Sequence, residues 1–350
     1  MTTTTLLQAV AQALGVPLGA PFTSQARLYH LEAAGEHAAL ASQLLVEAWT
    51  MDEALNALYE LVITCVSANA HIDLDALLGR PLRLRTTLAD GSVCWRSGYV
   101  SCAEQLDCDG GLSRYRFTLV PWNWLMSQMR DSAIWRERAF SNVIDDLYGA
   151  AHPLAHWRWS AEADAFIAQG DQGQPRPSIA QYRESHFDFA ARLLAAEGLN
   201  WRFEEVDDAP LHHSQVLFAD SASEQACPED PTSAAAGGIR FHRANSQETS
   251  DAIQAFGNSL VLNPAVTTVL SWDALNKRVI ARTVPLAEAF NDSAPRLERF
   301  EPARHHRDAA AADHDARIRR EALECRDRLY LGRSTVRSLR AGTTFSLRNS

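Results

Sequence analysis

Tyr182-Arg183-Glu184-Ser185-His186-Phe187-Asp188-Phe189, then Arg192-Leu193-Leu194, then Glu197-Gly198-Leu199-Asn200-Trp201-Arg202-Phe203, is the stretch that decides the fold of this chain. Ser185 followed by Asp188 three residues on is close to a capping box and predicts a helix start. Phe187, Ala190, Ala191 and Leu194 form its apolar face. Gly198 suits the left-handed stop after the last turn, which predicts a positive φ there. Leu199, Trp201 and Phe203 then alternate with polar residues as a strand.

The same α/β character runs back to residue 122. Phe140, Val143, Ile144 and Leu147 fall at helical spacing, with Gly149 as the predicted end. Trp122, Trp124, Trp135, Trp157 and Trp159 crowd this part; a stacking surface is one reading and packing at a domain junction is the one favoured. Upstream the chain reads as β. Leu58–Ser67, Arg80–Leu88, Val93–Leu106 and Arg114–Val120 are predicted strands, with Asp90-Gly91 and Asp109-Gly110-Gly111 as turns. Downstream, Asp220–Gly238 reads as a mobile loop or linker, and Ile239–Phe241, Ser259–Leu262, Val266–Trp272 and Val279–Val284 as strands. Asp308–Tyr330 reads as a helix with the stripe Ile318, Ala322, Cys325 and Leu329, three i,i+4 pairs (Asp313–Arg317, Arg317–Glu321, Glu324–Arg328) and Gly332 as its stop; Ser338–Leu347 reads as a last strand. Leu6, Leu7, Val10 and Leu14 predict a short N-terminal helix.

At 350 residues the chain is long enough for two to three domains. An apolar share of 46% and a charged share of 22% exclude disordered and fibrous classes. The net charge of −10 argues against a general nucleic-acid binder. Lys277 is the sole lysine among 33 Lys and Arg, which suits bidentate ion pairs or simply reflects codon usage. The six cysteines form no C-x-x-C, so neither a zinc site nor a disulfide scaffold is expected; Cys65 and Cys94 read as buried thiols. The uncharged run Ala252–Trp272 is broken by Gly257, Asn258, Asn263 and Pro264, and residues before Arg27 lack the basic start of a signal peptide.

Motifs for chemistry are sparse. G-x-S-x-G, P-loop, H-E-x-x-H and G-x-G-x-x-G patterns are missing from the sequence. His152 and His156 have metal-like i,i+4 spacing, but Pro153 opposes a helix there. His212-His213 and His305-His306 read as solvated loop pairs, Asp145-Asp146 as a helix surface, and Cys102 and Cys108 as thiols without a His partner. The expectation is no catalytic residue, no metal and no cofactor.

The block from Tyr182 to Phe203 closely resembles the signature of VgrG proteins, the spike-tip proteins of type VI secretion. The matching positions are Tyr182, Arg183, Glu184, Ser185, Phe187, Asp188, Phe189, Arg192, Leu193, Leu194, Gly198, Trp201 and Phe203, read as a structural signature. Ala190, Ala195-Ala196 and Trp201 depart from the usual Leu, acidic pair and Tyr. Leu119-Val120-Pro121, Ala139–Ile144, Leu260–Pro264, Ser271-Trp272-Asp273 and Ala341–Leu347 resemble further family segments in order.

The resemblance implies a mainly β chain with an α/β insertion, α+β overall, in which two small β-barrel tube domains flank an α/β domain as in phage tail hubs. The boundaries expected are a leader over 1–25, a first barrel over 26–125, the insertion with linker over 126–235, and a second barrel over 236–350 with its helix at 308–330. It implies a non-enzymatic hub, a homotrimer that caps a hexameric Hcp tube and carries a needle domain or effectors, assembled in the cytoplasm and ejected without a signal peptide. The family's OB-fold and needle are expected on a longer product or another chain. Nucleic-acid binding and membrane insertion are not expected. A prophage baseplate hub is an alternative of the same class. A loop-based hydrolase is an alternative of another class, and it requires a concave pocket with converging polar groups of shifted pKa.

Overall fold

Strands between Tyr29 and Val120 alternate buried and less buried side chains, and that alternation builds one sheet. The computed structural model describes residues 27–349 apart from 110, 152, 170–172, 243–250, 274–275, 286–296, 305 and 307. The predicted N-terminal helix therefore lies outside the described residues. Strands β1 (Tyr29–Ala33), β2 (Leu45–Asp52), β3 (Glu60–Ser67), β4 (Pro81–Thr87), β5 (Val93–Asp109) and β6 (Leu112–Val120) form an antiparallel sheet in the order β1-β4-β5-β6-β3-β2. Leu61, Ile63, Cys65, Leu82, Leu84, Tyr115, Phe117 and Leu119 line its inner face and are fully buried. Burial raises the Cys65 thiol pKa to about 12. The sheet curls until its edges meet. Arg27 Nη1 donates to Val46 O at 3.3 Å, and the Tyr29 and Trp49 rings meet edge to face, 6.1 Å apart. The two edge strands are not paired in this sheet, so it is a half-barrel.

Pro121 ends β6, and the chain enters a layer of helices and short strands: α2 (Trp124–Ser127), β7 (Arg130–Trp135), α3 (Phe140–Ala151), β8 (Trp157–Trp159), α4 (Ala161–Gln169), β9 (Ile179–Ser185), α5 (His186–Glu197), β10 (Asn200–Glu205) and β11 (His213–Phe218); the short α1 (Ala38–Ala41) lies back in the first sheet. Phe140, Val143, Ile144 and Leu147 of α3 are buried as their spacing predicts, and they join Phe189, Leu193 and Leu194 of α5 in the largest core. The α3 helix continues two residues past Gly149. Trp122 is fully buried, and the Trp157 and Trp159 indoles both donate to Asp145 Oδ1, at 2.9 and 3.0 Å. Asp145 is thus tied to the core edge, and Asp146 pairs with Arg138.

Two readings need correction here. Asp220–Gly238 is no loose linker: Ala226, Cys227 and Asp230 are buried, and Asp230 caps α6 (Pro231–Ala236) through Thr232 and Ser233 N–H. Beyond that cap, distant residues hold the segment: Ser338 Oγ donates to Asp230 Oδ1 at 2.9 Å, the Thr232 and Ser338 hydroxyls lie 2.7 Å apart, and the Ser346 N–H donates to Ser233 Oγ at 3.1 Å, with Pro231 preset for the first turn. The helix expected to reach Tyr330 stops at Glu324. Helix α7 (Ala309–Glu324), capped by Asp308, buries Ala312, Ala316 and Leu323, while Ala322 and Cys325 are exposed. Its i,i+4 pairs are Asp315–Arg319 and Arg320–Glu324. Arg328–Ser334 instead forms β17, because pairing with a long partner strand outweighs helix propensity, and Gly332 sits inside that strand.

Where the resemblance implies a second barrel, the described residues form two mixed sheets. β12 (Ile239–Phe241), β13 (Ala252–Leu260), β17 and β18 (Leu347–Asn349) lie in the order β17-β13-β12-β18. β14 (Val266–Asp273), β15 (Arg278–Pro285) and β16 (Glu298–Arg304) lie in the order β15-β14-β16, with Val269 and Ile280 packed on Ala312 and Ala316 of α7. The pairs β12–β13, β12–β18 and β14–β16 are parallel, unlike anything in the first sheet. Among the described residues only short β18 is strand within Ser338–Leu347 and its continuation.

Candidate functional site

The signature block folds as a brace. Ser185 Oγ accepts the Asp188 N–H at 3.0 Å, the first half of a capping box, and donates its own proton to Asp188 Oδ2 at 2.8 Å. Gly198 has φ 77°, and a Cβ there would lie 3.0 Å from Ile318 of α7, so a side chain would be both strained and crowded. Arg192 reaches back to Glu184 with a bidentate pair, 3.1 and 2.6 Å, and donates to Ala180 O at 3.0 Å. Those hydrogen bonds hold the Glu184 carboxyl below its ordinary pKa. Phe189 stacks on Trp135 with centroids 5.1 Å apart, Phe187 meets Trp201 edge-on, and Leu193, Leu194, Trp201 and Phe203 are core. Tyr182 and Arg183 alone point away, Tyr182 being 70% exposed. The block fastens β9, α5 and β10 together and offers no reacting cleft.

The histidines and cysteines do not converge. His213, expected in solvent, is fully buried: its Nε2 accepts the Trp122 N–H at 3.0 Å and its Nδ1 lies 3.0 Å from Leu211 O. Nδ1 therefore carries the proton, and burial lowers the pKa to about 3. The turn at His212 (φ 59°) swings its neighbour inward. His306, also expected in solvent, pairs with Asp315 at 3.1 Å, while His152 and His305 lie outside the described residues. Cys102 and Cys108 are exposed on β5. Among the described residues no three His, Cys, Asp or Glu gather as metal ligands. A cleft of about 310 Å³ opens between β1 and α1, lined by Tyr29, Leu31, Ala38 and Leu44 among others. The groups with displaced pKa lie elsewhere.

Three of them, Tyr59, Arg96 and Arg340, meet in a closed junction that the sequence does not signal. Arg340 Nη2 lies 3.1 Å from Glu53 Oε1 and its Nη1 lies 3.1 Å from Glu205 Oε1. Ser97 gives Glu205 its N–H (3.0 Å) and its hydroxyl (2.7 Å), and Ala341 N–H reaches Glu53 at 3.1 Å. Burial opposes the Arg340 charge, yet the two carboxylates outweigh it and hold the guanidinium pKa above its ordinary value. Tyr59 donates to Ser97 O at 2.7 Å, and burial first, then Glu205, raises its phenol pKa. Arg96, over the Trp49 ring, donates to the Arg337 and Leu339 carbonyls. Partners up to 288 residues apart thus clamp the loop around 337–341 to the half-barrel and to β10.

The C-terminal sheets carry a surface of another kind. β17 is an edge strand, and its ladder with β13 is wet on both sides. Phe256 and Tyr330 stack on one face, 5.6 Å apart, and Leu329 and Leu331 (66% exposed) stand on the other. On the sheet beside it, Trp272 and Val279 are cross-strand neighbours and both exposed, with Phe300 on the next strand. Apolar exposure of this extent marks a surface built to be covered.

A protein-family model described as "Phage tail baseplate hub (GPD)" matches residues 52–350. The chain belongs to the phage tail baseplate hub family. This hub is 30% identical over 151 residues to the type VI secretion spike protein VgrG1c of Pseudomonas aeruginosa, a match covering 43% of the hub and 20% of the relative. It is 30% identical over 182 residues to VgrG4b of the same organism, covering 52% and 21%. The match thus spans about a fifth of each relative's length. Among solved structures, the hub's fold is similar to that of the E. coli c3393 protein, described as a component of the type VI secretion system with structural similarity to phage T4 tail proteins gp27 and gp5 (TM-score 0.55, 16% identity, 91% of the hub and 66% of that chain). It is also similar to a tail protein from Neisseria meningitidis MC58 (TM-score 0.58, 10% identity, 92% and 86%). The α+β tail-hub fold is therefore that of this chain. Among the described residues no helix is long and apolar enough to cross a membrane.

Proposed function

We propose that this chain is the structural hub of a type VI secretion spike and acts without catalysis: three copies form a ring that caps a hexameric Hcp tube on one side and carries a needle or effector on the other. The observation that carries this reading is the apolar surface of β13, β17 and the β14–β16 sheet, exposed on a protomer that is otherwise well packed. Closed rings arise from heterologous interfaces whose rotation closes. The division into 1–25, 26–125, 126–235 and 236–350 belongs to this proposal. The half-barrel and the C-terminal sheets differ in strand order, so near-sixfold matching would rest on their outward surfaces. Sheath contraction would supply the energy of ejection, and the chain would bear load through the Arg340 clamp. An obligate ring of this kind buries upwards of about 2,000 Å² per interface.

Light scattering over a concentration series, with and without Hcp, tests the proposal. The expected mass is three times the 38.7 kDa chain. Tyr330→Glu with Leu331→Arg should leave folded monomers, since both side chains are exposed. A monomer at every concentration that also ignores Hcp, or a twofold dimer, would count against the hub reading.

A further inference from the structure

The β7–β9 ribbon has a packed face and a wet one. Ile179 and Gln181 turn inward; Ile134 and Ala180 are cross-strand partners on the outer face, and alternation along β9 adds Tyr182 to them. Ile134 is 64% and Tyr182 70% exposed. Register passes from Ala133↔Gln181 to Asp131↔Glu184, so Tyr182 and Arg183 together oppose Ser132 in a β-bulge. Arg183 sits at φ 52°, in the left-handed region, and its N–H donates to Ser132 Oγ at 3.0 Å. The bulge brings the Arg183 guanidinium over the Tyr182 ring, 5.3 Å from its centroid.

Nothing in the packing of the brace uses this arrangement. Every other side chain of the Glu184–Phe203 signature is accounted for by the cap, the Glu184–Arg192 pair or the core. Backbone strain in a non-glycine residue is kept where the fold aims a side chain. Alternation along β7 puts Arg130 on the face of Ile134 and Asp131 on the other. Arg130 and Arg183 have no carboxylate partner among the described residues, on a chain of net charge −10. An aromatic anchor flanked by arginines is the composition of an interface hot spot. Two such arginines on an acidic chain are too few to hold a phosphate backbone.

We propose that the outer face of the β7–β9 ribbon docks an acidic, apolar-tipped segment of another protein, with Tyr182 as anchor and Arg183 and Arg130 as charge contacts. This site is separate from the assembly surface of β13 and β17.

The test uses the full chain and a labelled synthetic peptide alternating Glu with Leu and Phe, followed by fluorescence anisotropy; a Lys counterpart and oligo-dT are the controls. Saturable binding of the acidic peptide alone is expected. Tyr182→Ala should weaken it about tenfold or more. Arg183→Gly should weaken it about fivefold while thermal stability stays level or rises, because glycine accepts that φ without strain. Equal binding of the Lys peptide, tighter binding of oligo-dT, no loss with Tyr182→Ala, or a change of native mass in that variant would each overturn the proposal. A chain that stays monomeric yet binds the peptide would fail the hub assembly and leave this site standing.

Discussion

Arg340→Met removes the cation from a site that keeps two carboxylates. The side chains of Arg340 and Glu53 are each 10% exposed and that of Glu205 17%, so water reaches them poorly. Breaking a buried ion pair by deleting one partner costs about 3–5 kcal/mol. Glu205 keeps two hydrogen bonds from Ser97 and Glu53 keeps one from Ala341, which places the expected loss at the lower end, about 3 kcal/mol. With a urea m-value of about 3 kcal/mol/M for a large chain, the unfolding midpoint should fall by about 1 M. Far-UV circular dichroism reads the midpoint, and amide exchange should quicken first at residues near 337–341, which the clamp holds. Adding Glu53→Gln and Glu205→Gln should recover about 2 kcal/mol, since neutral amides tolerate burial better than orphaned charges. A midpoint change below about 0.3 M, together with no recovery in the triple variant, would refute the idea that this ion cluster joins the three parts of the chain.

Other outcomes follow from the same geometry. Ser185→Ala should cost about 1 kcal/mol in urea unfolding, and Gly198→Val more, about 2–3 kcal/mol, because strain at φ 77° adds to the contact with Ile318. Arg192→Ala should cost no more than about 1 kcal/mol, its pair with Glu184 being half exposed, and nuclear magnetic resonance titration should show the Glu184 pKa moving up. His213 titrates near 3 in the folded chain against an ordinary 6.5, so the unfolded chain binds more protons in between. Stability is therefore complete above the ordinary value and falls as pH drops toward 3, at up to about 1.4 kcal/mol per pH unit. His213→Gln should be less stable at neutral pH with a flatter slope below pH 6 or so, and an unchanged slope would assign the acid sensitivity to other groups.

Local chemistry was legible wherever it acts through near neighbours. Ser185 and Gly198 announce a helix and its end because a cap needs only a side-chain oxygen and one or two N–H groups close by. Period-two alternation in Glu60–Ser67 and Leu112–Val120 set the inner and outer faces of the half-barrel. The Phe140–Leu147 spacing placed α3 on the core for the same reason.

Tertiary structure decided what depends on distant partners. Arg328–Tyr330 reads as the end of a helix, and only pairing with β13 makes it the start of a strand that runs to Ser334. His213 looks like half of a solvated pair until Trp122, 91 residues away in sequence, closes over it. Arg340, Glu53 and Glu205 carry no motif, since an ion cluster assembled across 287 residues has no spacing to read. Tyr182 reads as one more signature residue; the bulge sets Arg183 over its exposed ring, and a register shift between two strands is a property of their pairing, not of either sequence alone.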